Sequence, residues 1–277
     1  MARVSLSTAW DESRAILTRD GRLLVAVALA LIVLPTVIVG LVVPTAGGER
    51  ETYHRLLQAA GGLIGLIGQL ALVRLVIGPP TTVGAAISHG ARRFPSLLGA
   101  IILLVLMFLL MVIPVVLILA FTGSADLTNP SRAATGASAA LILLMLIAIL
   151  AISARFMVST AVAGAEAVGP LAILKRSWSV TRGHYWKLLG LLLLLLVVAI
   201  VIMAAAAALG GVLGAIIDPD LEPMSLGALV MALFTGVGQG VFAVLSAVMV
   251  TRIYLQLAGA AGGPSREAEV TVPHSGT

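Results

Sequence analysis

The chain's 277 residues predict an all-α membrane protein with six transmembrane helices, and three observations carry that reading. Hydrophobic residues make up 60% and charged residues 10%, with a mean hydropathy of +1.14, which leaves no polar coat for a water-soluble surface. Six apolar runs are each long enough to cross about 30 Å of hydrocarbon at about 1.5 Å per residue. Lipid cannot satisfy the bare edge of a strand, so continuous runs of this kind are helices.

The first span is expected over residues 23–43, with Pro35 inside it, and the second over 56–77, with Gly61, Gly65 and Gly68. The third covers 97–121, after the breaker Phe94-Pro95, and contains Pro114. Internal prolines remove a backbone donor and crowd the carbonyl four residues back, so kinks are expected at Pro35 and Pro114. The fourth, fifth and sixth spans cover 139–163, 188–217 and 226–257. Between the last two, Pro219 and Pro223 mark a turn in an acidic loop of Asp218, Asp220 and Glu222. Residues 258–277, with Gly262, Gly263 and Pro264, read as a disordered tail, leaving 1–257 as a single membrane domain.

Alternating the spans places 14 of the 17 basic residues on one face. The opposite connections hold only Arg50, Arg55 and Arg132. Basic residues are retained on the cytoplasmic side, so both termini are expected there, in a bacterial plasma (inner) membrane. The residues before the first span include Asp11, Glu12 and Asp20, unlike the short basic start of a cleaved signal peptide. A net charge of +5 and a pI near 10.4 accompany basic residues that flank apolar runs, which points to anionic phospholipids as partners and away from nucleic acid. The chain has no cysteine, so disulfides and thiolate chemistry are excluded.

An internal duplication organises the domain. Gly78-Pro79 precedes Leu97-Leu98-Gly99 by the same 21 residues that separate Gly169-Pro170 from Leu188-Leu189-Gly190, with Ser88/Ser179 and Phe94/Tyr185 in register between them. Arg74, Arg155 and Arg252 close the three even-numbered spans, and residues 7–19 resemble the two internal amphipathic stretches. The expected architecture is three units of interfacial helix plus two spans, over approximately 5–77, 79–163 and 170–257.

The stretch before the fifth span carries the strongest functional signal. Leu171, Leu174 and Trp178 recur at helical spacing as its apolar face, with Lys175, Ser179 and Arg182 opposite. Such a helix lies in the headgroup plane, where Trp178, Tyr185 and Trp186 keep an apolar body in lipid and a polar tip wet. Lys175, Arg176, Arg182 and Lys187, flanked by Trp178 and Trp186, are therefore the candidate headgroup contacts. Within the spans, Gln69 and Gln239 lie in glycine-rich helices and are expected to bond across close helix contacts. Arg74, Arg155 and Arg252 must reach the interface or pair with a carboxylate, for which Glu166 is the obvious acid. A transport pathway would instead require a water-accessible cavity lined by Gln69, Gln239 and Glu166.

No G-x-S-x-G, H-E-x-x-H, Walker A or G-x-G-x-x-G pattern stands in a plausible context, and His54, His89, His184 and His274 are too dispersed to present a metal site. The expectation is no enzyme, no cofactor and no metal. Glu166, Gly169-Pro170, and the run Arg176-Ser177-Trp178, Thr181-Arg182-Gly183 and Trp186 entering a span resemble the membrane domain of bacterial glycerophosphoryl diester phosphodiesterases and related free-standing six-span proteins. In the fused enzymes the hydrolase is a separate barrel, for which this chain has no room, and Ser88-His89-Gly90 does not match its His-Arg-Gly type motif. The resemblance thus implies a non-catalytic membrane module that organises lipid or supports a membrane or cytoplasmic partner; the alternative is a transporter or lipid-translocating protein.

Overall fold

The computed structural model describes residues 6–42, 51–78, 82–121, 136–219 and 222–261, and among the described residues there is no strand. Helix α1 (Leu6–Ala28) passes through a π-helical turn (Leu29–Val33) into α2 (Leu34–Val42). The remaining helices are α3 (Glu51–Ile77), α4 (Val83–Phe121), α5 (Gly136–Phe156), α6 (Ser159–Ala165), α7 (Pro170–Thr181), α8 (Tyr185–Ile217) and α9 (Leu226–Ala261). Six stretches are long and apolar enough to cross a membrane: Ser7–Val42, Tyr53–Ile77, Val83–Phe121, Ala139–Ala165, Tyr185–Ile217 and Leu226–Gly259. The protein is a multi-pass, all-α membrane protein.

Local chemistry explains the breaks. Pro35 has no N–H and its ring crowds the carbonyl of Leu31, and the wider π-helical turn just before it takes up that conflict. Thr82 caps α4 by accepting the Ala85 N–H at 3.3 Å, and Ser225 caps α9 by accepting that of Ala228 at 3.1 Å. Pro170 opens α7 at a position where a missing N–H costs nothing. The α8–α9 loop is tied back to the first span where the Met224 N–H donates to the Leu41 carbonyl at 3.0 Å.

Two sequence expectations need correction. Phe94-Pro95 does not break the chain: α4 is continuous from Val83 through both Pro95 and Pro114. Consequently a separate interfacial helix precedes a span only in the third unit; residues 7–19 also run without a break into the first span. The break falls over residues 182–184. Gly183 takes φ +90° in the turn between α7 and α8, a region that favours glycine, whereas the aligned position 91 residues earlier is Arg92, which stays helical. The tail boundary also moves, since α9 continues past residue 257 to Ala261. Residues 262–277 and Pro79 lie outside the described residues.

The buried residues gather at the basic end of the bundle. One cluster joins Leu70, Leu97, Val162, Ile173, Leu188, Leu191, Ile253 and Tyr254, and a second joins Ile16, Leu24, Val27, Leu72, Ala86, Ala247 and Val248. Leu97 and Leu188, in register in the expected duplication, both belong to the first cluster. Small residues set the close approaches: a Cβ added at Gly164 would lie 2.5 Å from Val73 Cγ1, and one at Gly240 would lie 2.7 Å from Val33 Cγ2. At the other end Leu110, Phe121, Leu144, Val201 and Ile216 are exposed, as befits side chains whose solvent is lipid.

Candidate functional site

Helix α7 has 12 residues, about 18 Å of axis, which is too short to span a bilayer. Its inward face is Ile173, Ser177, Val180 and Thr181, all buried. That corrects the expected opposition of apolar and basic stripes: Leu171 and Lys175, like Trp178 and Arg182, are four residues apart and share one exposed face, and of the expected apolar stripe Leu174 is the residue packed against the buried cluster. The buried polar residues are satisfied locally. Ser177 Oγ donates to the Arg155 carbonyl at 2.8 Å, and Thr181 Oγ1 lies 2.9 Å from the Ser177 carbonyl.

The outward face of α7 mixes Leu171 and Trp178 with Lys175, Ser179 and Arg182, all exposed, and Trp186 and Lys187 continue that exposed surface into α8. Behind it, the Arg155 guanidinium carbon stands 4.7 Å from the centre of the Trp178 ring and 5.2 Å from that of Tyr185. Such cation–π contacts hold a charge against aromatic faces without consuming its N–H donors. Arg155 Nη1 and His184 Nδ1 are shut off from solvent and make no hydrogen bond among the described residues.

Glu166 fixes the other side of this corner. One carboxylate oxygen, Oε1, accepts the Tyr254 hydroxyl at 2.6 Å and Arg176 Nε at 3.1 Å, so the α6–α7 linker, α7 and the end of α9 are joined at one atom. Arg176 is therefore the partner of Glu166 as well as one of the four basic residues singled out for headgroup contact, and among those four it stands apart from the exposed Lys175, Arg182 and Lys187.

The three span-closing arginines have different surroundings. Arg252 forms a 3.9 Å ion pair with Glu12 of α1, Arg74 folds back beside Gly78 at the end of α3, and Arg155 sits between the rings of Trp178 and Tyr185. His89 Nε2 is 2.8 Å from the Gly164 carbonyl, linking α4 to α6. Gln239 makes the expected cross-helix contact, 2.9 Å from its Oε1 to Thr36 Oγ1, and lines a cavity of about 620 Å³ between α2, α3 and α9. Gln69 and Glu166 do not line that cavity, so the three expected cavity residues are not brought together. Tyr254 and Thr36 were not distinguished by the sequence, because their partners Glu166 and Gln239 are far away in the chain. No group of three or more His, Asp or Glu able to hold a metal occurs among the described residues.

Fold and site together define a six-span α-helical membrane protein with a short helix, carrying Lys175, Arg176 and Trp178, docked at one end of the bundle. The chain belongs to the family of a domain of unknown function (DUF7847), whose model matches residues 2–257. No curated protein and no solved structure matches it.

Proposed function

We propose that this protein is a non-catalytic membrane module that holds anionic phospholipid headgroups at the α7–α8 corner, organising lipid or supporting a membrane partner. The module is related to the membrane domain of glycerophosphoryl diester phosphodiesterases, a relation resting on the 166–190 motif. It sits in a bacterial plasma membrane with both termini cytoplasmic, in keeping with the 14-to-3 division of basic residues.

The observation that carries the proposal is the composition of α7's outward face. Lys175 and Arg182 stand beside exposed Leu171 and Trp178, while the opposite face is buried in the bundle. A helix in bulk water would not wear that face, and one in hydrocarbon could not; the headgroup layer accommodates both kinds of side chain.

The test is native mass spectrometry of a Lys175→Gln, Arg182→Gln, Lys187→Gln variant, with Arg176 left intact because it pairs with Glu166. Each basic residue near an anionic surface is worth about 1 kcal/mol, so affinity for phosphatidylglycerol should fall by about two orders of magnitude at low salt. The difference should shrink as ionic strength rises. Unchanged retention of phosphatidylglycerol would remove the proposal. A second reading, transport or lipid translocation, draws support from the cavity lined by Gln239; movement of labelled lipid between leaflets of proteoliposomes would favour it.

A further inference from the structure

The cavity between α3 and α9, walled by α2, lies at the end of the bundle away from α7 and has chemistry of its own. Pro223 is at its rim, and Gln239 lies 239 − 226 = 13 residues into α9, about 20 Å along the helix axis and so near the middle of a bilayer. Its volume of about 620 Å³ is that of a small-molecule site. No Lys, Arg, Asp or Glu lines it. A charged headgroup brought to that depth would be stranded in hydrocarbon with no counter-charge, at a cost of several kcal/mol. An uncharged ligand has no such barrier.

The polar groups present are complementary to an alcohol. Thr235 donates its single hydroxyl proton to the Met231 carbonyl at 2.9 Å, so its remaining lone pairs can only accept. Gln239 is exposed to the cavity, and its 2.9 Å contact with Thr36 uses a fraction of an amide that can both donate and accept. The floor is glycine: a Cβ added at Gly62 or Gly65 would have nothing within 4 Å, so the space beside α3 is open. In the middle of a bilayer a lipid hydroxyl finds no water, and a wall with both donor and acceptor capacity supplies what the hydrocarbon lacks.

We propose that this cavity binds the uncharged, hydroxyl-bearing head of a membrane lipid of the diacylglycerol class, with its chains leaving into the surrounding hydrocarbon. The site is distinct from the α7–α8 corner and does not depend on that corner's binding headgroups.

The experiment uses the full chain in phosphatidylcholine nanodiscs that carry a diazirine-tailed dioleoylglycerol, with cross-linked peptides mapped after photolysis. Labelling should fall on the cavity stretches of α3 and α9 and be competed by unlabelled dioleoylglycerol. A Cβ at Gly65 meets nothing within 4 Å, so Gly65→Leu should extend into the cavity and keep the unfolding midpoint of the parent while lowering the competed labelling by about tenfold. Gly62→Leu, open for the same reason, is the second variant should the first unfold. Gln239→Leu, close in size but without the amide, should weaken labelling while Thr36 keeps its 2.7 Å bond to the Ile32 carbonyl. Labelling that is unchanged in folded Gly65→Leu or Gly62→Leu would overturn the proposal. So would equal competition by phosphatidylglycerol, or competition by glycerol alone, which would indicate a water-soluble occupant.

Discussion

Replacing Glu166 with Ala separates the two bonds made by one carboxylate oxygen. Tyr254 is 2% exposed, and its hydroxyl donates to Glu166 Oε1 at 2.6 Å. Without that acceptor a buried donor is orphaned, at a cost of about 1–3 kcal/mol. Arg176 reaches the same oxygen at 3.1 Å, but with side chains 42% and 30% exposed the pair is screened, and its share is about 0–1 kcal/mol. Glu166→Ala should therefore cost about 1–4 kcal/mol in total, most of it through Tyr254. Reversible unfolding by SDS in mixed micelles measures this. A double-mutant cycle of Glu166→Ala with Tyr254→Phe should give a coupling of about 1.5–3 kcal/mol, the range for a hydrogen bond to a charged group, and one with Arg176→Gln no more than about 1 kcal/mol. A larger coupling to Arg176 than to Tyr254 would refute the reasoning, because it would make the exposed ion pair the true joint.

Gly164→Ala should destabilise by about 1–3 kcal/mol in the same assay, because its Cβ would meet Val73 Cγ1 at 2.5 Å, whereas Gly65→Ala should stay within about 0.5 kcal/mol. Gly183→Ala should cost about 1–3 kcal/mol through its φ of +90°, with faster amide exchange in α7 than in α9. Because the chain has no cysteine, single cysteines at Gly47, Asp126 and Asp220 can be labelled without background; an impermeant reagent should reach all three from outside the cell, and labelling only after lysis would reverse the topology.

The spans were legible because lipid leaves a long apolar run only one backbone solution, and the boundaries expected for the second and fifth match the ends of α3 and α8 at Ile77 and Ile217. The inward face of α7 could have been read: Ile173, Ser177, Val180 and Thr181 recur at positions i, i+4, i+7 and i+8, whereas Leu171, Lys175, Trp178 and Arg182 lie together on the other side and do not form opposed stripes. The continuity of α4 could have been read: the turn in the third unit needs Gly183, and the second unit has Arg92 in its place. Glu166 was recognisable as a buried-side acid, but nothing marks Tyr254, 88 positions away, as its partner.

The most direct measurement is rotational-echo double-resonance solid-state NMR between lipid ³¹P and the side-chain nitrogens of Lys175, Arg176 and Arg182, in phosphatidylglycerol bilayers at low and high salt. Headgroup binding at the α7–α8 corner predicts strong dephasing at Lys175 and Arg182 that weakens with salt, and less at Arg176, whose Nε is occupied by Glu166 at 3.1 Å. Dephasing at Lys175 and Arg182 no greater than at Arg14 and Arg22, equally basic and exposed on α1, would contradict the account.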